Sequence, residues 1–326
     1  MLPLTVRDAR LLLDSRSDLV DRGGSDRELA ARLASGEIRR VRRGWYVRTA
    51  DWEAQWNEGR HLMQVVATHQ NSDAPGPLFV GASAAVLHGL PLYAHSPTRA
   101  HAVVEHRGHT SRRQDIHWHN VRLAESDEVV VDGIRCTSLS RTVLDLAAGM
   151  RFEGAVAVAD AALRAFAVPD GRHQDPERAE AWREELRHRA SRVSTRGIRQ
   201  ARRVIEFADG RAQLPGESVS RVRLDQLGFT RFELQSPVTA PDGQTLWMDF
   251  AFPRARCFGE FDGRTKYSTP EYARGRTPME VLIDEKSRED AVRGVTGWRI
   301  ARWGFEHIRT PDALGARLHA FGITPP

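Results

Sequence analysis

The stretch from Leu246 to Asp262 sets acids inside two short apolar runs, and few arrangements of a folded chain permit that. Leu246–Phe252 (LWMDFAF) and Cys257–Asp262 (CFGEFD) have the length and residue types of strands, with Pro253–Arg256 as the connection between them. Asp249 lies between Met248 and Phe250, and Glu260 between Gly259 and Phe261. A carboxylate at such a position is costly unless a partner meets it. If Pro253–Arg256 closes a hairpin, Asp249 and Glu260 face each other across it, because their distances from its centre match. Along the second strand Phe258, Glu260 and Asp262 share one face, and Cys257, Gly259 and Phe261 the other. Two or three carboxylates on one sheet face form an all-oxygen site suited to Mg2+ or Mn2+.

The basic residues point to the same region. Of 48, only Lys266 and Lys286 are lysine, and the other 46 are arginine, a balance that a GC-rich genome produces. Both lysines fall between Arg256 and Arg293. A lysine can lose its proton and sit as a compact charge beside a phosphate or an attacking water, whereas arginine keeps its proton. Lys266, four residues past Asp262, is the first candidate. Lys286, with Glu285 beside it, is the second.

The flanking sequence completes a pattern. Pro215-Gly216 precedes a helix that begins near Glu217, with Val219, Val222, Leu224 and Leu227 as its buried side. Thr277-Pro278-Met279-Glu280 is a capping box with proline at the first helical position. The helix it opens runs through Asp290, and Gly297–Trp303 follows as a strand. Together these residues resemble the core of the PD-(D/E)XK nucleases, in the branch that holds the very short patch repair (Vsr-like) endonucleases. The resemblance covers about a third of the chain. It implies a catalytic set of Glu217, Asp249, Glu260, Asp262 and Lys266, in which Asp249, Glu260 and Asp262 hold the metal. One departure is plain: the family's E-x-K would put lysine at position 262, where this chain has aspartate.

The N-terminal part has a different character. Val6–Leu13 is apolar at helical spacing, and Ser25-Asp26-Arg27-Glu28 has the form of an N-cap box opening a second helix. Glu37–Val47 alternates around Arg43-Gly44 and reads as a β-hairpin. Helix, helix and basic hairpin is the order of a winged helix-turn-helix. Five arginines and no acid lie in Arg39–Arg48, interleaved with Trp45 and Tyr46. Such a stripe neutralises phosphates, so Arg39, Arg40, Arg42, Arg43 and Tyr46 are the candidate contacts to double-stranded DNA.

Residues 75–150 read as a small-residue helix at Gly81–Leu87, strands at Ala102–Glu105, Ile116–His119, Glu128–Val131 and Ile134–Thr137, and a helix from Ser138 to Ala148. His101, His106, His109, His117 and His119 cluster here without cysteine or a tight carboxylate set, so zinc is not expected. Phe152–Phe166 and Pro176–Ala208 are helical, and Arg192, Arg196, Arg199, Arg202 and Arg203 read as a solvated face.

The N-terminal units resemble the AbiEi-like antitoxins of type IV abortive-infection toxin–antitoxin systems. The residues that carry this are Arg43-Gly44-Trp45-Tyr46-Val47, Gly81–Ala85, Asp132–Ser138 and Arg141–Leu146. The resemblance implies a winged helix on promoter DNA and a second domain that restrains a cognate toxin.

The expected fold class is therefore α+β and multidomain. A winged helix-turn-helix spans 1–50, an α+β domain 51–150 and a helical connector 151–212, followed by a restriction-endonuclease-like α/β/α domain over 213–326. No run approaches the ~18 uncharged apolar residues of a membrane span. The first residues lack a secretory pattern. Two cysteines, Cys136 and Cys257, are too few for a disulfide framework, and a cytoplasmic location follows as the expectation. The expected function is Mg2+-dependent endonuclease action on DNA in a toxin–antitoxin or phage-defence setting. The alternative is a repressor or antitoxin that binds DNA without cutting it, its acids paired with Arg264, Arg288 or Arg299.

Overall fold

A computed structural model describes residues 4–104, 115–263 and 277–325. The chain is a mixed α+β protein with several small sheets, and it divides into two compact units. One comprises Leu2–Val158 with Glu185–Arg203, the other Ala159–Glu184 with Val204–Pro326. Among the described residues, no helix is long and apolar enough to cross a membrane.

The first unit opens with α1 (Val6–Leu12), β1 (Asp14–Ser15), α2 (Arg16–Asp21), α3 (Asp26–Ala34), β2 (Ile38–Arg42) and β3 (Trp45–Arg48). Capping sets the helix starts. Thr5 and Asp8 form a reciprocal box on α1, Ser15 and Asp18 form one on α2, and Ser25 accepts from the Glu28 N–H on α3. The sheet runs β1-β3-β2, and Gly44, at φ +82°, makes the reversal between β2 and β3. Helix α2 and strand β1 add to the expected helix-helix-hairpin order.

Next come α4 (Thr49–Glu53), α5 (Asn57–Gln70) and α6 (Gly81–Leu87), followed by β4 (Ala100–Val103) and β5 (Ile116–His119). The unit continues with β6 (Glu128–Val131), β7 (Ile134–Thr137) and α7 (Leu139–Gly149). The small residues of α6 are buried and let α5 and α7 pack closely on it. β6 and β7 are an antiparallel hairpin around Asp132-Gly133, both at positive φ, while β4 and β5 pair in parallel. α5 also packs against α1 and β2, so the domains expected at 1–50 and 51–150 belong to one compact body.

The segment expected as a connector forms α8 (Phe152–Ala167), α9 (Pro176–Ser191) and α10 (Ile198–Phe207). It is not a separate body, because the division between the units falls inside each of these helices.

The second unit holds α11 (Pro215–Gln226), β8 (Glu233–Thr239), β9 (Thr245–Phe252) and β10 (Cys257–Phe261). After these come α12 (Pro278–Thr296), β11 (Arg299–Trp303) and α13 (Pro311–His319). Its sheet has the order β11-β10-β9-β8, with β8–β9 and β9–β10 antiparallel and β10–β11 parallel. α12 lies between the two parallel strands in sequence, as a parallel connection requires. One sheet face meets α11. A Cβ at Gly216 would overlap the Phe261 ring, and one at Gly259 the Trp303 ring, so both positions need glycine. The Trp303 indole N–H donates to Ser220 Oγ at 2.8 Å across this contact. On the other face Met248, Ala251, Phe258 and Ile300 pack with Val292 of α12.

Met248 and Ala251 are three residues apart yet share that cluster, so β9 breaks its alternation at Asp249. The ladder to β8 pairs Leu234 with Phe250 and Ser236 with Met248, which leaves Gln235, at φ +49°, opposite Asp249. The irregularity therefore sits where the acid does.

Candidate active site and nucleic-acid interface

The β9–β10 ladder pairs Cys257↔Phe252 through Gly259↔Phe250 and ends one step short of Asp249 and Glu260. The antiparallel pairing of the two strands around Pro253–Arg256 is present. Asp249 Oδ2 accepts the Phe261 N–H at 2.9 Å, so the carboxylate takes a backbone donor at the end of the ladder.

Glu260 faces away from α11 and is 4% exposed. Its Oε1 accepts from Arg288 of α12 at 2.8 Å, and its Oε2 lies 3.0 Å from an Arg302 nitrogen on β11. Arg302 also meets Glu285 at 2.5 Å and Glu289 at 2.6 Å, and Arg293 pairs with Glu289 at 2.9 Å. The i, i+4 spacing of Glu285 and Glu289 puts both acids on the α12 face that Arg302 reaches. Burial works to lower the Arg302 pKa, but Glu260, Glu285 and Glu289 outweigh it and raise the value. Arg288 has a lighter attachment: beyond Glu260 it donates to the Trp247 carbonyl at 2.6 Å.

Asp262 continues the parallel pairing through its N–H, which donates to the Trp303 carbonyl at 2.8 Å. Its Oδ1 is buried without a hydrogen-bond partner among the described residues, the kind of atom that a hard cation satisfies. Glu217 is buried in the first turn of α11, where its Oε2 accepts the Gln213 N–H at 2.9 Å and the Gln235 side-chain amide at 3.4 Å. Since Gln235 stands opposite Asp249, Glu217 reaches this end of the sheet through Gln235, whereas Glu260 turns toward α12. Arg264 and Lys266 lie outside the described residues. Lys286 is exposed on α12, one residue round from the face that carries Glu285 and Glu289. Among the described residues, no group of three or more His, Cys, Asp or Glu side chains is arranged to hold a metal ion. Arg288 and Arg302 stand where a cation would neutralise Glu260.

Arg288 is one of the arginines that the binding-only reading sets against the acids, and Arg302 is the residue that reading the sequence missed at this site. They reach Glu260 from 28 and 42 positions away, and arginine is too common here to mark Arg302.

At the wing the five candidate contacts divide. Arg40 and Arg43 are exposed, and the Arg39 guanidinium lies 4.7 Å over the Trp52 ring. Arg42 is half-buried and donates to Thr68 Oγ1 of α5 at 2.6 Å. Burial lowers its pKa, against the pull of Asp115. Tyr46 is buried. A register shift between Arg40 and Arg42 turns Arg42 inward, so simple alternation along the hairpin does not predict its environment. Arg42 and Tyr46 thus hold the hairpin to the body of the unit, and Arg39, Arg40 and Arg43 form its outer charge.

The histidines form a second cluster. His101 stacks with His117 and His119, all three ring-centroid separations being 4.6–5.0 Å, and His101 Nδ1 is 3.0 Å from His119 Nε2. His61 of α5, with no sequence signal of its own, bonds Ser83 Oγ at 2.9 Å, and that oxygen accepts the His101 backbone N–H at 2.8 Å. Burial pulls His61 down to about 4, and burial plus the neighbouring imidazoles pull His101 down to about 3. His119 is half-buried in this stack, and His117 is exposed on the strand. His106 and His109 lie outside the described residues.

No protein-family model matches the chain. Over 190 residues, 58% of this chain, it is 31% identical to Uncharacterized protein Rv2248 of Mycobacterium tuberculosis (strain ATCC 25618 / H37Rv). The same values hold for Uncharacterized protein MT2308 of strain CDC 1551 / Oshkosh. The similarity covers 62% of the length of these curated relatives, less than two thirds of either.

Proposed function

We propose that the chain is a DNA-binding protein whose second unit is a Mg2+-dependent endonuclease core of the PD-(D/E)XK type. The observation that supports this reading is the Asp249 carboxylate on the N–H of Phe261, the residue after Glu260, together with the buried Asp262 Oδ1 that has no hydrogen-bond partner among the described residues. Asp249, Glu260 and Asp262 would hold the ion, with Mn2+ as a substitute. When bound, the ion supplies an activated water and neutralises charge on the phosphate. Lys266 is the candidate cation toward the scissile phosphate, and Glu217 supports the site from α11. The outer wing arginines Arg39, Arg40 and Arg43 hold the double-stranded DNA. Supercoiled plasmid incubated with purified protein is expected to relax on addition of Mg2+ and not in EDTA.

One observation favours a second reading. Both Glu260 oxygens face guanidinium groups, the arrangement of a sheet retained for binding alone. On that reading the protein is a repressor or antitoxin acting with a cognate toxin. Its signature is salt-sensitive promoter binding with no metal-dependent cleavage.

A further inference from the structure

The two arginines on Glu260 are not equivalent. Arg302 is held by Glu260, Glu285 and Glu289, and its side chain is 24% exposed. Losing Glu260 would still leave it paired with two carboxylates. Arg288 has Glu260 as its carboxylate partner and the Trp247 carbonyl as a second acceptor, and its side chain is 32% exposed. The Glu260 side chain is 6% exposed, so a ligand approaching its Oε1 meets Arg288. A guanidinium with one carboxylate among the described residues, at the outer side of a buried acid, is the member of the network able to exchange partners. A phosphodiester presents the same paired, anionic oxygens as the carboxylate it would leave.

We propose that Arg288 is a phosphodiester-binding residue that Glu260 holds in reserve. In the free protein Arg288 is bonded to Glu260; on DNA it transfers to a backbone phosphate and leaves the Glu260 Oε1 bare. Arg302 stays in place and keeps Glu260 oriented. The inference rests on the reading that this end of the sheet takes DNA, and it gives the arginine pairing of Glu260 a purpose. The ion pair keeps the acid neutralised until a phosphate is present.

The test is DNA affinity without metal, so that cleavage does not enter. A fluorescein-labelled duplex is titrated with the full-length protein in EDTA and followed by anisotropy, for wild type, Glu260→Gln, Arg288→Gln and the double variant. Glu260→Gln releases Arg288 and is expected to bind about three- to tenfold more tightly. Arg288→Gln, in which Glu260 is still paired with Arg302, is expected to bind more weakly and to lower the salt slope by about one. In the double variant the gain from Glu260→Gln should vanish. A Glu260→Gln protein no tighter than wild type overturns the proposal, as does a gain that survives loss of Arg288. Arg288→Gln affinity equal to wild type overturns it too, and that variant decides the matter if Glu260→Gln does not fold. Absence of Mg2+-dependent nicking would sink the nuclease reading while leaving these EDTA affinities to stand on their own.

Discussion

Asp160 and Arg221, 61 positions apart, form an ion pair at 2.6 Å with side-chain exposures of 1% and 8%. The other Asp160 oxygen accepts the Asp209 N–H at 2.8 Å, and the second Arg221 nitrogen donates to the Phe207 carbonyl at 2.7 Å. This pair binds α8 to α11 and the end of α10 inside the second unit. It explains why the segment read as a connector does not stand apart.

Truncation of one member leaves the other charge buried and unpaired. Arg221→Ala is therefore expected to lower the stability of the second unit by about 3–5 kcal/mol. Chemical denaturation measures this. A loss no larger than that of a surface arginine would show that the pair is solvated.

The histidine cluster predicts acid sensitivity. His61 and His101 are neutral in the folded unit, with pKa values pulled to about 4 and about 3 from an ordinary value near 6.5. Below that ordinary value the unfolded chain takes up more protons than the folded one. Their contribution is thus fully present above about pH 6.5 and is lost as the pH falls toward 4 and then 3. The melting temperature of the first unit should drop across this window, and His101→Gln should flatten the drop. A profile unchanged by His101→Gln would remove the cluster from the account.

Wing substitutions should separate binding from folding. Arg40→Ala and Arg43→Ala are each expected to lower DNA affinity and reduce the salt slope by about one, with little change in melting temperature. Arg42→Ala removes the bond to Thr68 and should lower the melting temperature instead. If all three variants behave alike in both measurements, the division of the wing is wrong.

Close packing at the α11 face gives a prediction independent of charge. Gly259→Ala sets a Cβ against the Trp303 ring and is expected to destabilise the second unit by about 1–3 kcal/mol, read from its denaturation midpoint. Gly294, where an added Cβ would meet nothing within 4 Å, is the control position on α12.

Much of this could be read from local signals. The Arg43-Gly44 and Asp132-Gly133 reversals, the Ser25 and Thr277 caps and the two strands around Pro253–Arg256 are each specified by a few neighbouring residues. What could not be read depends on distant contacts. Nothing near Arg302 in sequence marks it as a partner of Glu260, and nothing near Arg221 marks Asp160. The inward turn of Arg42 depends on a register shift and on a threonine 26 positions away. Parallel pairing of β4 with β5, and the histidine stack that it creates, is likewise set by the fold of the whole unit.

The central claim is that Asp249 and Glu260 form a working hydrolytic site, and the initial rate of plasmid nicking in Mg2+ tests it most directly. Wild-type protein should nick supercoiled DNA, and Glu260→Ala, confirmed as folded by its melting transition, should be slower by at least about a hundredfold. A Glu260→Ala protein that nicks as fast as wild type, or a wild type that does not nick at all, would contradict it.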